Sequence, residues 1–181
     1  MKFKDFLCKC FSKIPLRFFR DPSPVVSILR LSGVIGQVGP TRSGLTLENL
    51  EKSIERAFSN SRTKTVALII NSPGGSPVQS AQISRRIREL SIEKEIPVIA
   101  FTEDVAASGG YWLACSADEI FVDSNSIIGS IGVISSGFGF VKAIENLGVQ
   151  RRVYSVGKRK GMLDPFLPEI PEDIEKLKLI Q

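Results

Sequence analysis

Ser108 stands in the run D-V-A-A-S-G-G-Y, residues 104–111, with two alanines before it and two glycines after it. Small residues two before and two after a serine give A-x-S-x-G. That pattern varies the elbow in which a tight strand-to-helix turn lifts a hydroxyl clear of its neighbours. In such a turn the Gly109 N–H lies at the helix start, where it can donate to the oxyanion formed when a serine attacks a carbonyl. The other reading of the same residues is a turn in which Ser108 only caps the helix. A nucleophilic serine needs a base, and the 181 residues include no histidine. Ser-His-Asp and Cys-His sites are therefore closed to this chain, and a lysine base is what remains.

A lysine takes a proton only when neutral. Moving its pKa from about 10.4 to near 7 corresponds to roughly 4 kcal/mol of differential solvation, so the amine must be held against apolar walls. Lys52, Lys64 and Lys94 fall in exposed helical or turn patterns, Lys142 opens a helix, and Lys176 and Lys178 lie on a polar tail. Lys158 and Lys160 follow Gly157 and precede the turn-like M-L-D-P-F. Either of the two could be the base, and a solvated basic loop is the alternative. A second glycine-rich loop, N-S-P-G-G-S at 71–76, has the wrong spacing for a phosphate loop, and G-F-G-F-V-K at 137–142 does not complete a dinucleotide fingerprint. Gly74 and Gly75 are better suited to close backbone approach and to supplying a second oxyanion donor.

The elements around these residues follow from periodicity. Val25 to Ile35 reads as a strand. Thr46 is a candidate N-cap for a helix whose apolar face is Leu47, Leu50, Ile54 and Phe58. T-V-A-L-I-I at 65–70 and P-V-I-A-F at 97–101 are continuous apolar runs, the pattern of strands buried on both faces. Each leads into one of the glycine loops, and a helix with Val78, Ile83, Ile87 and Leu90 lies between them. A helix is expected from about Ser108 to Ala114, short strands at Glu119 to Val122 and Ile131 to Ile134, a helix at Val141 to Leu147, a strand at Arg152 to Val156 and a polar helix from Pro171. Strands alternating with helices imply an α/β fold with a mostly parallel sheet, and such sheets carry their chemistry at the C-terminal ends of the strands.

Composition narrows the function classes. With 43% apolar and 24% charged residues the chain suits a globular domain with a real core. Three cysteines, Cys8, Cys10 and Cys115, form no disulfide framework, which favours a reducing compartment. Without histidine, and with a single cysteine in the body, no zinc site is expected, and no cofactor is implied. Residues 1–20 hold six Lys and Arg against Asp5 alone and so carry the whole net charge of +5. A basic footprint confined to an arm argues against a nucleic-acid surface on the body. Within the arm Phe3, Phe6, Leu7, Cys10, Phe11 and Ile14 recur at helical spacing with lysines opposite, a pattern that can lie in a membrane interface. A helix docked on its own protein or on a partner is the other reading. No run of about 18 apolar residues is present to span a bilayer. The organisation expected is an arm at 1–20, a proline-rich linker at 21–24 and one domain over 25–181.

Four blocks in order, I-N-S-P-G-G-S at 70–76, D-V-A-A-S-G-G-Y at 104–111, G-S-I-G-V-I at 129–134 and G-K-R-K-G-M-L-D-P-F at 157–166, give the chain a wider resemblance. Over roughly residues 25–170 it resembles the signal peptide peptidase A family of bacterial Ser-Lys serine peptidases, in its short single-domain branch. The resemblance implies Ser108 as nucleophile, Lys160 rather than Lys158 as general base, and Ser130 as the residue that orients the lysine amine. It implies Gly109 and the Gly74-Gly75 loop, through Gly75, as the oxyanion hole. The implied fold is of the Clp/crotonase type, a β-sheet superhelix with flanking helices. The implied partners are extended hydrophobic peptides, such as remnant signal peptides, and further copies of the chain in a homo-oligomer. Many members of that family carry an N-terminal transmembrane helix where this chain has the amphipathic arm, so the location expected is the cytoplasmic side of the bacterial inner membrane, held peripherally through residues 1–20, or the cytoplasm. Family domains continue beyond the point matching Gln181, so the domain is expected to be incomplete at its C-terminus. An inactive interaction module is one alternative this raises, and a crotonase-like acyl-CoA enzyme without a nucleophile is another.

Overall fold

The computed structural model describes residues 23–39, 42–157 and 160–181. The basic arm at 1–20, the first half of the linker and Lys158 lie outside the described residues. The chain divides into two compact units, Met1–Ile131 and Gly132–Gln181.

The first unit is built on a parallel sheet. Strands β1 (Val25–Ser32), β4 (Thr63–Ser72), β5 (Val98–Ala107) and β6 (Glu119–Val122) lie side by side in that order, and β7 (Ile127–Gly129) also pairs with β5. A separate two-stranded antiparallel pair is formed by β2 (Gln37–Gly39) and β3 (Arg42–Ser43). Parallel neighbours need crossovers, and helices supply them. Helix α1 (Leu47–Ser59) connects to β4, α2 (Pro77–Lys94) runs from β4 to β5, and α3 (Gly109–Ala114) runs from β5 towards β6.

The helices start where the sequence has capping chemistry. Thr46 Oγ1 accepts from the Asn49 N–H (3.3 Å) at the head of α1. Ser76 does the same for α2, accepting from Gln79 N–H (3.4 Å), with Pro77 in the first turn. Their apolar faces close over one side of the sheet. Leu68 and Ile70 of β4 and Val98 of β5 are fully buried there with Ile54, Ile83 and Ile87 of the helices. Each such side chain contributes about 1.5–3 kcal/mol by leaving water. This close-packed layer fixes where the C-terminal ends of β4 and β5, and the glycine loops beyond them, must lie.

The second unit contains helices α4 (Val141–Asn146) and α5 (Pro171–Ile180) joined by turns. Two strand expectations fail at the end of the first unit and in the second. Residues 131–134 and 152–156 have no regular strand structure, although both carry apolar residues at strand-like spacing. A strand needs a neighbour's backbone to accept its hydrogen bonds, and these two runs find none among the described residues. The strand forms instead just upstream at β7, where the second half of β5 offers a free edge: Val105, Ala106 and Ala107 pair with Ile127, Ile128 and Gly129. The α/β class with a mostly parallel sheet and flanking helices is as expected from sequence.

Candidate active site

The A-A-S-G-G run turns from strand to helix at one residue. β5 ends at Ala107, α3 begins at Gly109, and Ser108 between them has φ 52° and ψ −119°. A non-glycine residue rarely enters this part of backbone space, and holding one there costs of order 1–3 kcal/mol. The surroundings over-determine it. Ser108 N–H donates to Gly129 C=O of β7 (2.7 Å), and its own C=O accepts from Trp112 N–H (3.0 Å), which starts α3. The hydroxyl makes no capping hydrogen bond, so the side chain is not occupied as an ordinary N-cap.

The glycines permit two chain segments to touch. Gly110 lies so close to Ser72 of β4 that a Cβ there would run into the Ser72 carbonyl oxygen. A Cβ on Gly74 would stand 2.8 Å from both Ala107 O and Gly109 N, and 2.9 Å from Ser108 Cβ. Gly75, at φ 148°, presses on Ile35 in the same way. The N-S-P-G-G-S loop is therefore laid directly against the serine turn, and larger residues would drive the two apart.

That contact places two backbone donors side by side. A Cβ built on Gly109 would lie 3.4 Å from Gly75 N. The Gly74 N–H is taken up by Ser72 Oγ (3.2 Å). Among the described residues no hydrogen bond engages the N–H of Gly75 or of Gly109. Ser72 was not singled out from the sequence; its role is visible only once Gly74 is seen to donate to it.

Ser130 is brought to the same place by β7. It directly follows Gly129, the acceptor for the Ser108 N–H, and it too has a positive φ of 52°. In the first unit, then, Ser108, Gly109, Gly74, Gly75 and Ser130 converge from three segments of the chain.

Lys160 belongs to the second unit, where it lies exposed in the turn that follows Gly157. That turn is anchored by the D-P-F motif. Asp164 accepts from the Arg151 guanidinium and from Phe166 N–H, which holds its carboxyl below the usual carboxylate range, Arg151 being the larger cause. Arg151 also lies 4.8 Å above the Phe166 ring, and Phe166 stacks on Phe140 at 5.4 Å. Phe140 N–H donates to Pro165 C=O (2.6 Å), which closes the loop on itself. Arg151 and Phe140 carried no sequence signal for this, since each acts only through a partner well removed along the chain.

A family model described as peptidase family S49 matches residues 91–178. An Enterococcus faecium protein named putative signal peptide peptidase SppA is 33% identical over 141 residues, covering 76% of this chain and 41% of its own length. The chloroplastic serine protease SPPA of Arabidopsis thaliana is 35% identical over 159 residues, covering 83% of this chain and 23% of its own. The chain belongs to peptidase family S49. A Brucella abortus protein named Na(+)/H(+) antiporter NhaA is 49% identical over 169 residues, 93% of this chain and 23% of its own length. Its name describes a protein of which under a quarter is matched. Among the described residues of this S49 chain no helix is long and apolar enough to cross a membrane. Among solved structures, a membrane-bound stomatin-specific protease superposes with a TM-score of 0.51 over 65% of this chain and 52% of its own, at 21% identity, a likeness of fold alone. The chain thus spans between about a quarter and two-fifths of the length of these curated relatives.

Proposed function

We propose that this S49 chain carries the catalytic residues of a serine endopeptidase working by a Ser108–Lys160 dyad. The observation that carries the reading is the Ser108 turn. A strained backbone presents a hydroxyl with no capping role beside two N–H groups that nothing else among the described residues uses.

In this reading the neutral Lys160 amine accepts the Ser108 hydroxyl proton as Oγ bonds to the scissile carbonyl carbon. The carbonyl oxygen becomes an oxyanion and receives hydrogen bonds from Gly109 and Gly75. Gly75 is favoured over Gly74 because the Gly74 N–H is already committed to Ser72. The protonated lysine then gives its proton to the leaving amine, the peptide C–N bond breaks, and an acyl-enzyme remains on Ser108. Water attacks the ester with Lys160 again as base, which releases the acid and restores the serine. Ser130 orients the amine by hydrogen bonding.

The substrates in this reading are hydrophobic peptides such as remnant signal peptides, taken up in extended form. The working assembly is a homo-oligomer held peripherally at a membrane surface by residues 1–20. The test is labelling by a serine-directed fluorophosphonate. Labelling of the parent chain that disappears in Ser108→Ala and falls to background in Lys160→Met is the expected result. A parent that takes no label under any condition, or a Ser108→Ala variant that labels equally, overturns the reading.

A further inference from the structure

The two glycine loops meet because β5 breaks register with β4 just before Ser108. From Ile70 to Ser72, β4 advances two residues; its partners Thr102 and Ala106 are four apart. Two extra residues are thus accommodated on β5. The bulge has a consequence for direction. Residues Ile99 to Thr102 pair with β6, whereas Val105 to Ala107 pair with β7. The strand is bent off one neighbour and onto another, and the bend is what delivers Ser108 N–H to Gly129.

The centre of the bulge is closed by one side-chain pair. Asn71 is the middle residue of the β4 step and Asp104 the middle residue of the β5 step, and Asn71 Nδ2 donates to Asp104 Oδ2 at 2.8 Å. Asn71 opens the N-S-P-G-G-S loop, and Asp104 lies four residues before Ser108. Beside them, Glu103 is pinned twice. Arg30 of β1 donates to both of its carboxylate oxygens (2.8 and 2.7 Å), and Ser126 Oγ donates to its backbone C=O (2.6 Å). Next to the bend the buried Thr102 Oγ1 has no hydrogen-bond partner among the described residues.

We propose that Asn71 and Asp104 are positioning residues that set the separation of the oxyanion loop and the nucleophile, so that the Gly75 N–H and Ser108 address the same substrate carbonyl. This rests on the peptidase reading above. It goes beyond that reading by assigning a function to two residues that touch neither substrate nor reacting atoms. An exposed hydrogen bond of this kind adds little to global stability. Displacement of an oxyanion donor by a fraction of an ångström, in contrast, is felt strongly by the chemical step.

The experiment measures fluorophosphonate labelling of the full chain, resolved into the maximal inactivation rate and the half-saturating concentration, with thermal melting of each variant alongside. Asn71→Asp sets two carboxylates face to face and should slow the maximal rate roughly ten- to a hundredfold with the half-saturating concentration unchanged. Asp104→Ala should slow it similarly. Asp104→Asn retains an acceptor for Asn71 and should label close to the parent rate. The exchanged pair Asn71→Asp with Asp104→Asn rebuilds the bond in the opposite sense and should recover most of the rate lost by Asn71→Asp, including if that single variant folds poorly. No recovery in a folded exchanged pair, or losses that follow melting temperature alone, overturns the positioning role while leaving the peptidase reading intact. A parent that takes no label overturns both.

Discussion

The two units hold their key residues in opposite ways. In the first unit Ser108 is fixed from every side: a strand before it, a helix after it, a neighbouring strand accepting its N–H, and Gly74 packed against it. Beneath lies a layer of fully buried side chains such as Leu31, Ile70 and Ile87. In the second unit every large apolar side chain is at least partly open to water; Ile134 and Tyr154 are each 91% exposed and Val156 is 94% exposed. Around Asp164 it is held by the stacked Phe140 and Phe166 rings and the Arg151 ion pair. The nucleophile half of the proposed dyad is thus pre-built by packing. The turn bearing Lys160 is held by surface contacts of the kind that open at low cost. A lysine that must be neutral to work has to be enclosed, and the exposed position of Lys160 means that enclosure must be supplied when substrate or another surface covers it.

The largest expected effects would break this contrast directly. A methyl group at Gly74 meets backbone atoms at 2.8 Å that cannot move aside, at a residue with φ 97°. Gly74→Ala is expected to abolish fluorophosphonate labelling and to destabilise the first unit by several kcal/mol, measured by urea unfolding. A Cβ at Gly161, one residue after Lys160, meets nothing within 4 Å. Gly161→Ala should leave unfolding within about 0.5 kcal/mol of the parent. Equal costs at the two positions would end the distinction between a packed and an unpacked half.

A smaller effect sharpens the contrast within the cores. Leu68 is fully buried, and Leu68→Ala should cost about 2–5 kcal/mol. Val153, half exposed, should be replaceable by alanine within about 0.5 kcal/mol. Amide hydrogen exchange should follow the same division, with β4 and β5 slowest and residues 132–181 exchanging orders of magnitude faster. Protection of 152–156 equal to that of β4 would show that the second unit has a core not visible in its own contacts.

The first unit was also the more legible from sequence, for the same physical reason. T-V-A-L-I-I is apolar throughout and largely buried, so pattern and structure agree there. P-V-I-A-F, in contrast, buries only Val98 and Ala100 and leaves Phe101 39% exposed, so that strand is covered on one face and not on both. The serine turn was legible because only small residues tolerate the approach of Ser72 and Gly74. Ile131 to Ile134 and Arg152 to Val156 misled because apolar spacing records a tendency to be covered, not the presence of a pairing neighbour. The Asn71–Asp104 bond was beyond reach for another reason. It depends on a register break between two strands, and nothing in either strand's own sequence reports its partner's register.

The smallest effect concerns pH, and it again sets one carboxylate in each unit side by side. Asp118 accepts from Val98 N–H (2.8 Å) and from Arg88 (2.7 Å), and these hold its carboxyl below the usual range, Val98 being the larger cause. A carboxyl depressed in the folded state adds stability that is complete above its unfolded pKa of about 3.9. That stability is lost as pH falls through the lower folded value. Asp118 ties the first residue of β5 to the start of β6, so Asp118→Asn should lower the melting temperature at pH 7. With the carboxylate 43% exposed the loss should stay under about 1 kcal/mol. The difference from the parent should begin to shrink as pH drops below about 4, where Asp118 of the unfolded chain takes up its proton, and vanish once pH has passed the lower folded value. Asp164 is depressed in the same direction, but by Arg151 and Phe166 of the unpacked unit. Asp164→Asn should therefore leave the melting temperature unchanged and instead raise proteolytic cleavage around residues 160–167 at neutral pH. A melting shift in Asp164→Asn as large as that in Asp118→Asn would mean that the two units unfold as one, and that the turn carrying Lys160 is built as firmly as the turn carrying Ser108.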